Sequence, residues 1–130
     1  MKSVGILFIS FNNISRLVPG TFSNVKITQI DLSNNLLTKL ENDTFDDVNQ
    51  LSTIDFSSNM ISMIEAGAFN GLTSLQYIHL EWNNLTRLDN STFAGCNNLQ
   101  VIYLNNNPNL DKTNVESLCP TTAPNCKVYF

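Results

Sequence analysis

Charged side chains are scarce in this 130-residue chain. Asp, Glu, Lys and Arg together make up 14% of it, against about 25% in an ordinary soluble domain. Cations are scarcer than anions: 7 Lys and Arg against 11 Asp and Glu leave a formal net charge of −4. The basic footprint needed to hold a phosphate backbone is missing, so no nucleic-acid partner is expected. There is 1 His, no His/Cys cluster at metal-ligand spacing, no glycine-rich phosphate loop and no nucleophile motif. An enzyme is therefore not expected, nor is a cofactor. No apolar run approaches the ~20 residues of a membrane span. The opening MKSVGILFISF has a Lys followed by apolar residues, but the run is short and no small-residue cleavage site precedes the Asn pair. We read it as mature sequence, with any secretion signal outside it. The length fits one domain, residues 1–130.

Asparagine is what the chain has in excess, with 20 residues, and their placement is periodic. From Leu75 the apolar residues Leu75, Ile78 and Leu80 are followed by Asn83, then by Leu85, Leu88 and Phe93. The preceding stretch repeats this as Leu51, Ile54, Phe56, Asn59, Ile61, Ile64 and Phe69. The one before repeats it again as Ile27, Ile30, Leu32, Asn35, Leu37, Leu40 and Phe45. The spacing never changes across these three 24-residue units. A first unit, one residue shorter, holds Val4, Leu7, Ile9, Asn12, Ile14, Leu17, Phe22 and Val25. A degenerate fifth begins at Leu99 with Ile102, Leu104 and Asn107. Coil boundaries fall at about 4–26, 27–50, 51–74, 75–98 and 99–122, with a terminal strand or cap over 119–130. Cys126 and Val128 are expected at the fourth and sixth positions of that last strand, and Thr113 is expected to cap a short helix carrying Val115 and Leu118.

A fixed period of 20–29 residues with this spacing resembles the leucine-rich repeat, of the 24-residue type common outside cells. The resemblance implies an α/β, right-handed leucine-rich repeat solenoid, with a parallel β-sheet on the concave face and a mostly irregular or 3-10 convex side. Its physics is legible in the motif. Inward apolar residues of each strand stack on those of the next, building a core no single repeat could make. Where the chain leaves the strand, backbone groups lose their sheet partners, and a carboxamide can both donate to and accept from them. Asn12, Asn35, Asn59, Asn83 and Asn107 form that ladder, while Phe22, Phe45, Phe69 and Phe93 form a column of stacked rings. Both are structural.

Function then belongs to the positions the motif leaves free, the second, third, fifth, seventh and eighth of each unit, on the concave face. The second and third coils present small polar residues there, including Asp31 and Asp55, a pair that is expected to be simply solvated. His79 and Glu81, two apart, are likewise not expected to interact. The fourth and fifth coils are different. Tyr77, His79, Glu81, Trp82 and Tyr103 form the candidate ligand-binding patch, of the aromatic composition enriched in binding hot spots. Proteins with this repeat usually recognise other molecules on the concave face, so the resemblance implies a protein or glycan partner and an extracellular location, secreted or within an ectodomain.

Of 3 Cys, Cys119 and Cys126 flank a proline-containing loop and are expected to close a capping disulfide; Cys96 with Cys119 is the competing pairing. The sequons Asn13, Asn42, Asn84 and Asn90 are candidate glycosylation sites, turned away from the concave face. The family's cysteine-rich N-terminal cap is lacking, and its usual four-cysteine C-terminal cap is reduced to two. Uncapped strand edges raise an alternative, a self-assembling structural protein whose copies associate head to tail.

Overall fold

The structure, a computed structural model, describes residues 5–130; the expected contribution of Val4 lies outside them. Six short parallel strands form one sheet in chain order: β1 (Gly5–Phe8), β2 (Ile27–Asp31), β4 (Thr53–Asp55), β6 (Tyr77–His79), β7 (Val101–Tyr103) and β8 (Lys127–Tyr129). Ile30, Ile54 and Ile78 face inward at successive register positions and are 1% exposed or less. The repeat period thus becomes a column of buried branched side chains. The shorter first unit still pairs in register, Ile6 with Gln29, Leu7 with Ile30 and Phe8 with Asp31, because its missing residue falls in the connection at Lys26; the register slips only at Gly5, which pairs with Ile27. A second pairing, β3 (Lys39–Leu40) with β5 (Met63–Ile64), lies on the return side of the second and third coils. The rest of that side is turns, and among the described residues the single 3-10 helix is Val115–Leu118.

The asparagine ladder is a cross-coil device. The side-chain amide of Asn59 donates to the carbonyl of Phe56 in its own coil and of Leu32 in the preceding coil, both at 3.0 Å. Its Oδ1 accepts the N–H of Leu37, also in the preceding coil, at 3.0 Å. Asn35, Asn83 and Asn107 repeat the pattern toward Ile14, Ile61 and Leu85. Asn12 departs from it. It is exposed, and among the described residues its amide reaches only the nearby carbonyls of Ile9 and Ser10. The first coil is looser in other ways: Val25 is exposed, whereas Val48, Leu72 and Cys96 at the equivalent position are buried.

On the return side Phe22, Phe45, Phe69 and Phe93 stack with centroids 5.6, 6.4 and 5.3 Å apart. Cys119 and Cys126 are joined, their Cα atoms 5.7 Å apart. A loop this short contributes about 2–3 kcal/mol in the chain-entropy picture. Cys96 is a free, buried thiol whose pKa burial pushes up to about 12, leaving almost no reactive thiolate at neutral pH.

Two expectations near the C-terminus are corrected. Val128 pairs with Ile102, so it takes the fourth position of the last strand, and Phe130 rather than Val128 falls at the sixth. The connection runs 26 residues, from 102 to 128, where the regular coils use 24. Thr113 does not cap the 3-10 helix, which starts after Asn114 without a side-chain cap. Asp111 captures Thr113 first, accepting its backbone N–H at 3.0 Å and its hydroxyl.

Candidate functional site

The open face of the sheet carries its side chains in columns, because parallel strands in register place equivalent positions side by side. Fifth positions run Phe8, Asp31, Asp55, His79, Tyr103 and Tyr129 across the six strands. Third positions run Ile6, Gln29, Thr53, Tyr77, Val101 and Lys127. The fifth-position column is apolar at one edge, acidic over the next two strands and aromatic over the last three.

The aromatic half is built by stacking. The His79 imidazole lies over the Tyr103 ring at 4.4 Å with 4° between planes, and Tyr103 lies on Tyr129 at 5.6 Å. Tyr77 stands beside the column and donates its hydroxyl to Gln100 Oε1 at 2.9 Å. Of the expected patch, His79 and Tyr103 are in ring contact, and Tyr129 joins them. Tyr77 is the register neighbour of Val101, and Trp82 is not part of the ring stack. Gln100 and Tyr129 were not among the candidates for this cluster; the register of the last strand is the signal that finds Tyr129.

His79 and Glu81 do interact, contrary to expectation. Imidazole Nδ1 is 3.1 and 3.2 Å from the two carboxylate oxygens. β6 ends at His79, so Glu81 lies in the turn and its carboxylate can swing back. The coils before it use the same pair of positions in the opposite sense. Asp31 accepts the N–H and hydroxyl of Ser33, and Asp55 those of Ser57. The hydrogen bond to Glu81 raises the His79 pKa; partial burial works against this, and the charges of Glu81, Asp55 and Asp31 reinforce it. A group whose pKa is higher folded than unfolded stabilises fully below its unfolded value, about 6.5, and loses that contribution as pH rises through the folded value. An NMR titration of the His79 ring should therefore have its midpoint above about 6.5, and Glu81→Gln should lower it. A midpoint unmoved by Glu81→Gln would rule the pair out as the cause.

Two shallow depressions lie on this face. One, of about 160 Å³, is lined by Phe8, Gln29, Asp31, Thr53, Asp55 and His79 among others. The other, of about 570 Å³, is bordered by Tyr77, Gln100, Val101, Lys127 and Tyr129. Among the described residues no cluster of three or more His, Cys, Asp or Glu could hold a metal ion.

Eighth positions form a different feature. Phe11, Asn34, Ser58, Trp82 and Asn106 all adopt φ between 55° and 63°. Asn tolerates this left-handed geometry; a bulky aromatic does so at a cost of about 1 kcal/mol or more. Phe11 and Trp82 are nevertheless 79% and 62% exposed, so burial does not offset that cost. The sequons Asn13, Asn42, Asn84 and Asn90 are all exposed. The Asn42 carboxamide oxygen accepts the Gly67 N–H at 2.7 Å. The threonines completing the Asn42 and Asn90 sequons, Thr44 and Thr92, are buried.

The leucine rich repeat sequence profile matches residues 25–85. Solved structures extend the likeness over most of the solenoid. An APL1 leucine-rich repeat domain is 32% identical, with a TM-score of 0.68 over 77% of this chain. The chain is a leucine-rich repeat protein. The receptor in a TLR13–ssRNA13 complex superposes with a TM-score of 0.74 at 25% identity over 77% of this chain. The Toll–Spatzle complex of Drosophila gives 0.72 at 25% identity over 78%. The leucine-rich repeat chain described here spans only 14% of each of those two chains and 26% of the APL1 domain. Comparison with curated protein sequences returns no match. The expectation against nucleic acid rests on charge alone, and a leucine-rich repeat structure in complex with single-stranded RNA shows that the fold adds nothing to it. No helix among the described residues is long and apolar enough to cross a membrane.

Proposed function

We propose that this leucine-rich repeat chain is an extracellular recognition module that binds a protein partner through the concave face of its sheet. The observation that carries the reading is the in-register column Asp31–Asp55–His79–Tyr103–Tyr129 across five neighbouring strands. Acidic groups on one half and stacked rings on the other suit a partner surface where Lys or Arg adjoins an apolar or aromatic anchor, since rings attract cations on their faces and contribute large contact area. A net charge of −4 disfavours polyphosphate partners. The relationship to the Toll–Spatzle complex, in which a leucine-rich repeat chain engages a protein, supports the same class of partner. The disulfide between Cys119 and Cys126 fits an oxidising compartment. Glycans on the exposed sequons would leave the concave face open.

The test is a multivalent form of the chain screened against an array of extracellular proteins, with glycan arrays in parallel. Tyr77→Ala and Tyr103→Ala should each weaken a captured partner by about 1–3 kcal/mol, while the melting temperature holds. Binders indifferent to both variants, or variants that melt the solenoid, would remove the concave face from consideration.

A further inference from the structure

Phe11 and Trp82 have no role in the column of the sheet, yet both hold a backbone geometry that disfavours aromatic residues. What they share is their sequence neighbour. Each lies two residues before a sequon asparagine, Phe11 before Asn13-Ile14-Ser15 and Trp82 before Asn84-Leu85-Thr86. The other coils are an internal control. Where the eighth position is Asn34, Ser58 or Asn106, the tenth is Leu36, Met60 or Pro108, and there is no sequon. Aromatic residue and sequon occur together or not at all. The intervening residue, Asn12 or Asn83, is the ladder asparagine, which in the second case is buried and bonded across coils. It fixes the turn, so the eighth and tenth residues flank one anchored point. At the fourth coil the result is visible: Trp82 and Asn84 line one open depression of about 600 Å³, with Asn106, Pro108 and Lys112. That volume is in the range of small-molecule sites.

We propose that Phe11 and Trp82 are sugar platforms, each packing its ring against the first N-acetylglucosamine of an N-linked glycan on Asn13 and Asn84. The C–H-lined face of a pyranose covers an aromatic face well, because the ring's negative π cloud meets weakly positive hydrogens. The attachment itself belongs to the secretory apparatus: the asparagine Nδ2 forms the bond to sugar C1, the lipid diphosphate leaves from C1, and one amide proton is released. This proposal rests on the extracellular reading above but uses none of the residues of the column from Asp31 to Tyr129. Asn42 and Asn90 carry no such platform, so their glycans would stand free.

Trp82 is the only tryptophan, and its emission therefore reports its own environment. The full chain is secreted from a eukaryotic host and trimmed with an endoglycosidase that leaves one N-acetylglucosamine on each occupied asparagine. It is compared with Thr86→Ala, which lacks only the Asn84 sequon. Glycopeptide mass spectrometry should find Asn13 and Asn84 occupied. Trp82 in the trimmed chain should emit to the blue of the variant. It should also be quenched by acrylamide about twofold less, as expected when one face of an exposed indole is covered. For Phe11, a chain retaining only the Asn13 sequon should melt higher trimmed than fully deglycosylated, and Phe11→Ser should abolish that gap. Empty sequons at Asn13 and Asn84 overturn the proposal. So does emission indifferent to Thr86→Ala, or a melting gap indifferent to Phe11→Ser. Partner binding sensitive to Tyr103→Ala but unchanged in Thr86→Ala separates the two readings, and each can then fail alone.

Discussion

Asn59→Leu lowers stability by about 1–3 kcal/mol, a fall of roughly 5–10 °C in melting temperature for a domain of this size, although leucine keeps asparagine's number and branching of side-chain heavy atoms. The carbonyls it serves are not the main loss. The Leu32 carbonyl keeps the amide of Asn35, and that of Phe56 keeps the amide of Asn83. Each such carbonyl accepts from its own coil and from the next, so the ladder is doubly bonded on that side. The Leu37 N–H is different: its recorded acceptor is Asn59 Oδ1, and Leu37 is wholly buried. Removing that oxygen leaves a donor with neither protein nor water to receive it, which is the expensive kind of deletion. Asn12→Leu is the matched control. Asn12 is exposed, and the Ile9 carbonyl it serves also receives the Asn35 amide, so the cost there should stay under about 1 kcal/mol. Chemical denaturation of both variants settles the matter. Equal losses, or a neutral Asn59→Leu, would mean that the turn is satisfied by something other than the ladder.

The ladder also marks how far a sequence of this kind can be read. The 24-residue period identifies which residues face inward, and Asn35, Asn59, Asn83 and Asn107 lie where that period requires. What the period cannot supply is where an insertion falls. Of the two additional residues between Ile102 and Val128, the sequence marks one, in Asn107-Pro108-Asn109-Leu110, where Leu110 falls one place late; the other has no landmark. The bare 24-residue period therefore places the last strand two residues out of register, and hides Tyr129 from the ring column. Local competition was the second blind spot. Thr113 has the chemistry of a helix cap, but Asp111, two residues earlier, offers it a tighter bond. The repeat spacing makes His79 and Glu81 neighbours on one strand, yet the strand stops at His79, and the chain beyond it brings the carboxylate back to the ring. The candidate site was thus legible as a set of residue types and illegible as a set of contacts. The ring stack depends on register, and the His79–Glu81 contact depends on where a three-residue strand ends.

Phe69→Ala should be costlier still, by about 3–5 kcal/mol, the range for deleting a buried aromatic ring. The ring is 1% exposed. It stacks on Phe93 at 5.3 Å and Phe45 at 6.4 Å, and meets Phe56 at 6.4 Å. Phe69 is therefore the point where the return side of the third coil holds both its neighbours, and a solenoid is stabilised chiefly by such nearest-neighbour interfaces. Its loss leaves two half-stacks joined mainly through the sheet and the asparagine ladder. Unfolding should then lose cooperativity as well as midpoint, seen as a shallower denaturant dependence. Phe22 gives the comparison. It is buried as well, but among the recorded ring pairs it meets only Phe45, at 5.6 Å, so Phe22→Ala should cost clearly less and leave the slope unchanged. A double-mutant cycle on Phe69 and Phe93 should show coupling of about 0.5–1.5 kcal/mol, the amount attributed to an aromatic pair beyond its buried area. If Phe22→Ala and Phe69→Ala cost the same, with no change of slope in either, the rings are independent fillers of their own coils. The column would then transmit nothing between coils.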